Sequence, residues 1–122
     1  MARILIVDDD DEIRDTLVEL MRSKGHQVTG AADGAEALLS AAACRPDLLV
    51  TDIIMPDKDG IQAIIEIRRM HKDIPVIAMS GGGKIPASVY LAHARAAGEM
   101  TTLEKPFKVS AFVKAVDNAM CR

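Results

Sequence analysis

Short runs of aliphatic residues alternate along the chain with longer stretches in which apolar side chains recur every three or four positions. The runs are Ile4–Val7, Val28–Ala31, Leu48–Thr51, Val76–Met79 and Thr101–Leu103. Several are nearly continuous in β-branched and aliphatic residues, the pattern of strands buried on both faces of a parallel sheet. Between them, Ile13, Leu17, Leu20 and Met21 fall at helical spacing. So do Ala37, Leu38 and Ala41, then Ile61, Ile64, Ile65 and Ile67, then Val89, Ala92 and Ala96, and last Phe112, Val113 and Val116. Gly25, Gly34, Gly60 and Gly98 punctuate the element ends, and Ser110 stands where a cap of the last helix is expected. Strands in strict alternation with helices predict an α/β fold: a doubly wound, five-stranded parallel sheet covered on both faces through right-handed crossovers.

Composition narrows what such a fold does here. The chain has 122 residues, 49% hydrophobic and 27% charged, and domains run to roughly 100–200 residues. One unit over residues 1–122 with no output domain is therefore expected. Fifteen Lys and Arg against eighteen Asp and Glu give a formal charge of −3, which is not the basic excess that carries affinity for a phosphate backbone. Nucleic acid is not an expected partner. Aromatic residues are 2% of the chain and Trp is absent, so base-stacking platforms are not expected either. Cys44 and Cys121 match no metal spacing and fit a reduced cytoplasmic protein. The first apolar run is too short for a signal peptide, and no stretch reaches the ~20 apolar residues of a membrane span. A cytoplasmic location with no membrane contact is the expectation.

In doubly wound folds, ligands bind beyond the carboxyl ends of the strands, where strand order reverses. The first run ends in Asp8-Asp9-Asp10-Asp11, the third in Thr51-Asp52, the fourth in Ser80-Gly81-Gly82-Gly83 and the fifth in Glu104-Lys105-Pro106-Phe107. The second ends in Ala31-Ala32-Asp33-Gly34, a turn suited to an edge strand outside the site. Carboxylates that converge in a cleft repel one another unless neutralised. A few hard oxygen ligands open to water favour Mg2+, which keeps several waters and is commonly completed by phosphate oxygens. Lys105 and Ser80 add a positive charge and a hydroxyl donor at the same point. Together these groups describe a phosphoryl site.

Four segments in order carry a resemblance: Ile4-Leu5-Ile6-Val7-Asp8-Asp9; Leu49-Val50-Thr51-Asp52-Ile53-Ile54-Met55-Pro56 with Asp59-Gly60; Ala78-Met79-Ser80-Gly81; and Leu103-Glu104-Lys105-Pro106-Phe107. The chain resembles the receiver domain of two-component response regulators over nearly its whole length. That likeness implies a CheY-like fold with strand order 2-1-3-4-5. It implies that Asp52 is the phosphoacceptor, taking a phosphoryl group from a histidine kinase or histidine phosphotransferase to give an aspartyl phosphate. It implies that Asp9, Asp52 and the backbone carbonyl of Ile54 ligate Mg2+, with Asp8 acting through a bound water, and that Lys105 and Ser80 contact the phosphoryl group. A cis Lys105–Pro106 bond is also implied. The protein is then a signalling module, not an enzyme beyond its own phosphorylation and dephosphorylation. It would be a monomer or weak dimer that speaks to an unknown downstream protein through the face of its fourth helix, fifth strand and fifth helix.

Other residues have plainer readings. Asp10 and Asp11 suit the positive end of the first helix, and Asp57 and Asp59 suit a turn before Gly60. His26, His71 and His93 lack metal spacing and read as structural or solvated, while the seven methionines read as gap-fillers in an aromatic-poor core. Three features depart from the family pattern. Thr102 stands where receivers usually carry a Tyr or Phe that turns inward on activation, which leaves Tyr90 or the fourth helix to report phosphorylation. Gly81-Gly82-Gly83 suggests a mobile loop, and Ser80 replaces the commoner Thr. A haloacid-dehalogenase-type phosphatase is disfavoured by Glu12 where Thr or Val is needed, and a P-loop by Ile85 after Gly83-Lys84. A flavodoxin-like protein would need a phosphate loop where the aspartates stand. The remaining alternative is a pseudo-receiver, an interaction module that works without phosphorylation; intact Asp8, Asp9, Asp52, Ser80 and Lys105 disfavour it.

Overall fold

The computed structural model describes residues 2–53, 60–81 and 100–120, with backbone alone for 60, 61, 80 and 81. Its elements are β1 (Arg3–Val7), α1 (Asp11–Ser23), β2 (Gln27–Ala31), α2 (Gly34–Ala43), β3 (Leu48–Asp52), α3 (Gly60–Met70), β4 (Val76–Gly81), β5 (Thr101–Lys105) and α4 (Val109–Met120). The strands form one five-stranded sheet in the order β2-β1-β3-β4-β5, every neighbouring pair parallel. The expected fold class and strand order are therefore those of the structure. The helix expected around Val89, Ala92 and Ala96 lies outside the described residues.

Alternation along each strand sorts its side chains to opposite faces. Ile4 and Ile6 of β1 and Val50 of β3 join Leu17, Val18 and Met21 of α1 and Phe112 and Val116 of α4 in one cluster. Leu5 and Val7 of β1 and Leu49 of β3 join Ala37 and Ala41 of α2 and Ile64 and Ile67 of α3 in the other. Both faces of β1 and β3 are thus covered, which is why those runs are unbroken in apolar residues. Each fully buried Val, Leu, Ile, Met or Phe side chain among these contributes about 1.5–3 kcal/mol. Met21 and Met79 fill core positions as expected, but Met70 at the end of α3 is 41% exposed and fills no gap.

Local signals explain most boundaries. Asp10 caps α1 by accepting from the amides of Glu12 and Ile13, and Asp33 caps α2 by accepting from Glu36, each satisfying amides that the first turn leaves without partners. After α1, Gly25 takes φ +92, a left-handed turn conformation that glycine adopts without steric cost. Ser110 is not the cap of the last helix: α4 begins at Val109, and the Lys108 carbonyl already accepts from the amides of Ala111 and Phe112. The first turn is closed two residues earlier than a side-chain cap at Ser110 requires.

The register brings the carboxyl ends of the strands into line. Val7 lies opposite Thr51, Asp52 opposite Met79, and Gly81 opposite Lys105. Asp8, Asp52 and Lys105 therefore emerge at one end of the sheet, with the connection after β1 leading to β2 on one side and the connection after β3 leading to β4 on the other. That reversal is where a doubly wound fold opens a crevice.

Candidate functional site

Asp8 leaves the end of β1 with its side chain fully buried, and each of its polar groups has a partner. Its amide donates to the carbonyl of Ala31 at 3.1 Å. Its carboxylate Oδ1 accepts from the amide of Asp10 at 2.9 Å, and its carbonyl accepts from Nη1 of Arg14 at 2.9 Å. Carboxylate Oδ2 accepts from Nζ of Lys105 at 2.7 Å. The second strand, expected to stand outside the site, supplies no side chain to the pocket but does hold Asp8 through this Ala31 carbonyl.

Asp52 closes β3 and is 8% exposed, and its Oδ2 lies 3.2 Å from the same Lys105 Nζ. One ammonium thus bridges two carboxylates carried by different strands. Burial alone pulls the Lys105 pKa down, but the hydrogen bond to Asp8, the negative charges of Asp52 and Asp8, and the bond to Asp52 outweigh it; the result is a pKa raised above the ordinary lysine value. The Lys105–Pro106 peptide bond is cis, as expected. Beyond it, the ring of Phe107 stacks on Phe112 of α4, centroids 5.8 Å apart and planes 14° from parallel. The aromatic pair fixes the turn that carries Lys105 to the apolar cluster beneath the α1 and α4 face.

Asp9 is exposed and completes a group with Asp8 and Asp52, in which one oxygen of each lies within 4.8 Å of the others. Among the described residues, three carboxylates face one ammonium. Such an excess of hard anionic oxygens, two buried and one open to water, fits a divalent cation of the Mg2+ type, which binds through a few carboxylates and keeps water in its remaining positions.

Of the residues expected in the site, the structure gathers Asp8, Asp9, Asp52 and Lys105 within one pocket. Ile54 lies outside the described residues, as do the side chain of Ser80, Asp57, Asp59, Tyr90, His93 and Cys121. Asp10 and Asp11 keep their plainer readings, the first as a helix cap and the second paired with Arg14 at 2.7 Å. His26 Nδ1 accepts from the amide of Ala2, and His71 Nε2 lies 2.8 Å from the carbonyl of Ala41, so both histidines tie elements together. Cys44 is a free, exposed thiol. Sequence reasoning missed Arg14 and the Ala31 carbonyl, which reach the site through backbone atoms and leave no motif.

Residues 4–117 match the family model of the response regulator receiver domain. The chain belongs to this family. It is 39% identical to the transcriptional regulatory protein PrrA of Mycobacterium tuberculosis over 93% of the chain and 48% of that protein. To the transcriptional regulatory protein PdtaR of the same species it is 36% identical, over 98% of the chain and 57% of the relative. It thus spans about half the length of these relatives. Among solved structures it resembles the chemotaxis protein CheY4 of Vibrio cholerae with a TM-score of 0.88, at 29% identity, covering 98% of each chain. Receiver domains of two-component systems are generally signalling modules. Receiver domains take their phosphoryl groups from histidine kinases and usually use Mg2+, for which Asp8, Asp9 and Asp52 offer the donor set. None of the helices among the described residues is long and apolar enough to cross a membrane.

Proposed function

We propose that this receiver domain accepts a phosphoryl group on Asp52 from a phosphohistidine of a histidine kinase or histidine phosphotransferase, and signals by altered binding to another protein. The observation that carries this reading is the convergence of Asp8, Asp9, Asp52 and Lys105 at the carboxyl ends of three strands. An Asp52 carboxylate oxygen forms a bond to phosphorus while the bond from phosphorus to the imidazole nitrogen breaks, and the departing imidazole takes up a proton. Asp9, Asp52 and the Ile54 carbonyl would hold Mg2+, with Asp8 behind a water. Bound there, Mg2+ supplies positive charge against the phosphoryl oxygens, in a transfer governed by positioning and electrostatics. Lys105 reaches both buried carboxylates and is in place to pair with a phosphoryl oxygen on Asp52, and the Ser80 hydroxyl donates a second bond.

The output surface in this reading includes β5 and α4; the rest of the expected face, around Val89, Ala92 and Ala96, lies outside the described residues. Thr102 is exposed on β5, and its small hydroxyl cannot report phosphorylation by a large ring movement. A cytoplasmic site of action, as a monomer or weak dimer in contact with protein and not nucleic acid, belongs to the same proposal.

The test is incubation with Mg2+ and acetyl phosphate followed by intact-mass analysis. A base-labile adduct of one phosphoryl group is expected on the wild type and none on Asp52→Asn. An unmodified wild type, or an adduct undiminished on Asp52→Asn, overturns the assignment.

A further inference from the structure

The peptide between Asp8 and Asp9 is a single rigid plane. Its carbonyl is the Asp8 oxygen that accepts from Arg14 Nη1 at 2.9 Å. Holding that oxygen therefore holds the direction in which the chain enters Asp9, an exposed residue whose carboxylate must stay near those of Asp8 and Asp52. Arg14 has the means to hold it. The other arm of its guanidinium, Nη2, pairs with Asp11 at 2.7 Å, and its side chain is only 16% exposed. Two arms of one planar group thus join the end of β1 to the first turn of α1, a use of the fork that lysine cannot reproduce.

Room for this arrangement comes from β2. A Cβ at Gly30 would lie 3.3 Å from Arg14 Cδ and 3.4 Å from Val18 Cγ2. The bare backbone at Gly30 lets the Arg14 stem lie across the edge strand, and a larger residue would push it away. The next residue, Ala31, accepts from the Asp8 amide, so the edge strand fixes both sides of the acidic turn.

We propose that Arg14 is a positioning residue for the divalent cation: it clamps the Asp8–Asp9 peptide, and Gly30 provides the slot in which its stem lies. The inference rests on the reading of this site as Mg2+-dependent. Two effects of Arg14 on a cation have opposite signs. As a positive charge near the pocket it repels Mg2+, so removing it strengthens binding. As a clamp it keeps three carboxylates in range, so removing it weakens binding. The pairing with Asp11 offsets part of the repulsion, and the clamp dominates.

The experiment measures Mg2+ affinity by calorimetry on the whole chain as wild type, Arg14→Met, Arg14→Lys and Gly30→Val, with acetyl phosphate labelling and metal-free Tm in parallel. Arg14→Met is expected to weaken Mg2+ binding roughly tenfold, the low end of the loss seen when a group that orients a metal ligand is removed. Arg14→Lys restores part of it, and Gly30→Val weakens it with the arginine still present. A folded Arg14→Met that binds Mg2+ as well as the wild type or better overturns the inference, even if its metal-free Tm falls. Should Arg14→Met not fold, unchanged Mg2+ affinity in both Arg14→Lys and Gly30→Val overturns it instead. A wild type that neither binds Mg2+ nor gains a phosphoryl group overturns the functional reading itself, and this inference with it.

Discussion

The centre of the sheet and its two edges are built differently. The apolar residues of β1 and β3 are buried; β1 runs directly into the acid Asp8, and β3 ends in Asp52. Along the edge strands β2 and β5, exposed residues interrupt the pattern. Those strands end in a carbonyl that holds Asp8 and in the ammonium that bridges both acids. The centre thus contributes burial and negative charge, and the edges contribute the groups that make such charge tolerable in a buried place. A buried carboxylate without hydrogen-bond or ionic partners costs several kcal/mol, so the central strands could not end as they do with different neighbours.

This division can be challenged at three points. The largest effect belongs to the centre. Ile6→Ala removes a side chain with no exposure and is expected to lower unfolding free energy by about 2–5 kcal/mol, read from urea denaturation. A cost below that range would mean that the central strands contribute less burial than their pattern implies.

Next comes the contribution of the edge to the charges. Lys105→Met leaves Asp8 and Asp52 without their shared cation, for an expected loss of about 2 kcal/mol, less than for a fully enclosed pair because Lys105 retains some contact with water. The pKa of Lys105 is raised in the folded state, so the stability it adds is fully present below the ordinary lysine value of about 10.4. It fades as pH climbs through the raised folded value. The gap between wild type and Lys105→Met should therefore hold through neutral pH and close in strongly alkaline buffer. Mg2+ should also narrow it, since the variant presents a more negative pocket to the ion. A gap that widens with alkalinity would contradict the charge assignment.

The smallest effect is expected on the exposed side of the edge. Thr29→Ala in β2 touches none of the groups that hold the site and should shift stability by no more than about 0.5 kcal/mol. A larger loss would show that this edge carries more than backbone support.

How well each region could be read from sequence follows the same division. β1 and β3 were legible because burial on both faces demands unbroken aliphatic runs, and the acids stood out as charges placed directly after them. The runs fell short at the polar ends. β3 extends to Asp52, β4 to Gly81 and β5 to Lys105, since ladder hydrogen bonds continue past the point where side chains turn apolar to polar. The edges gave weaker signals. Gly30 reads as a weak strand residue until Arg14 is seen lying across it, and the Ala31 carbonyl leaves no trace in side-chain chemistry. The cap at Ser110 was misplaced for a related reason: the helix start is set by the Lys108 carbonyl, a backbone group every residue has.

The stacked rings of Phe107 and Phe112 have a further consequence. The chain has only these two phenylalanines, and they link the turn after Lys105 to one of the two apolar clusters and not to the other. The ammonium is therefore tethered to the half of the molecule under α1 and α4. Apolar changes in that half can alter how firmly Lys105 is presented to the acids without altering any charge. A lineage could retune this pocket by drift in its greasy residues alone, and an alignment of its charged positions would look unchanged.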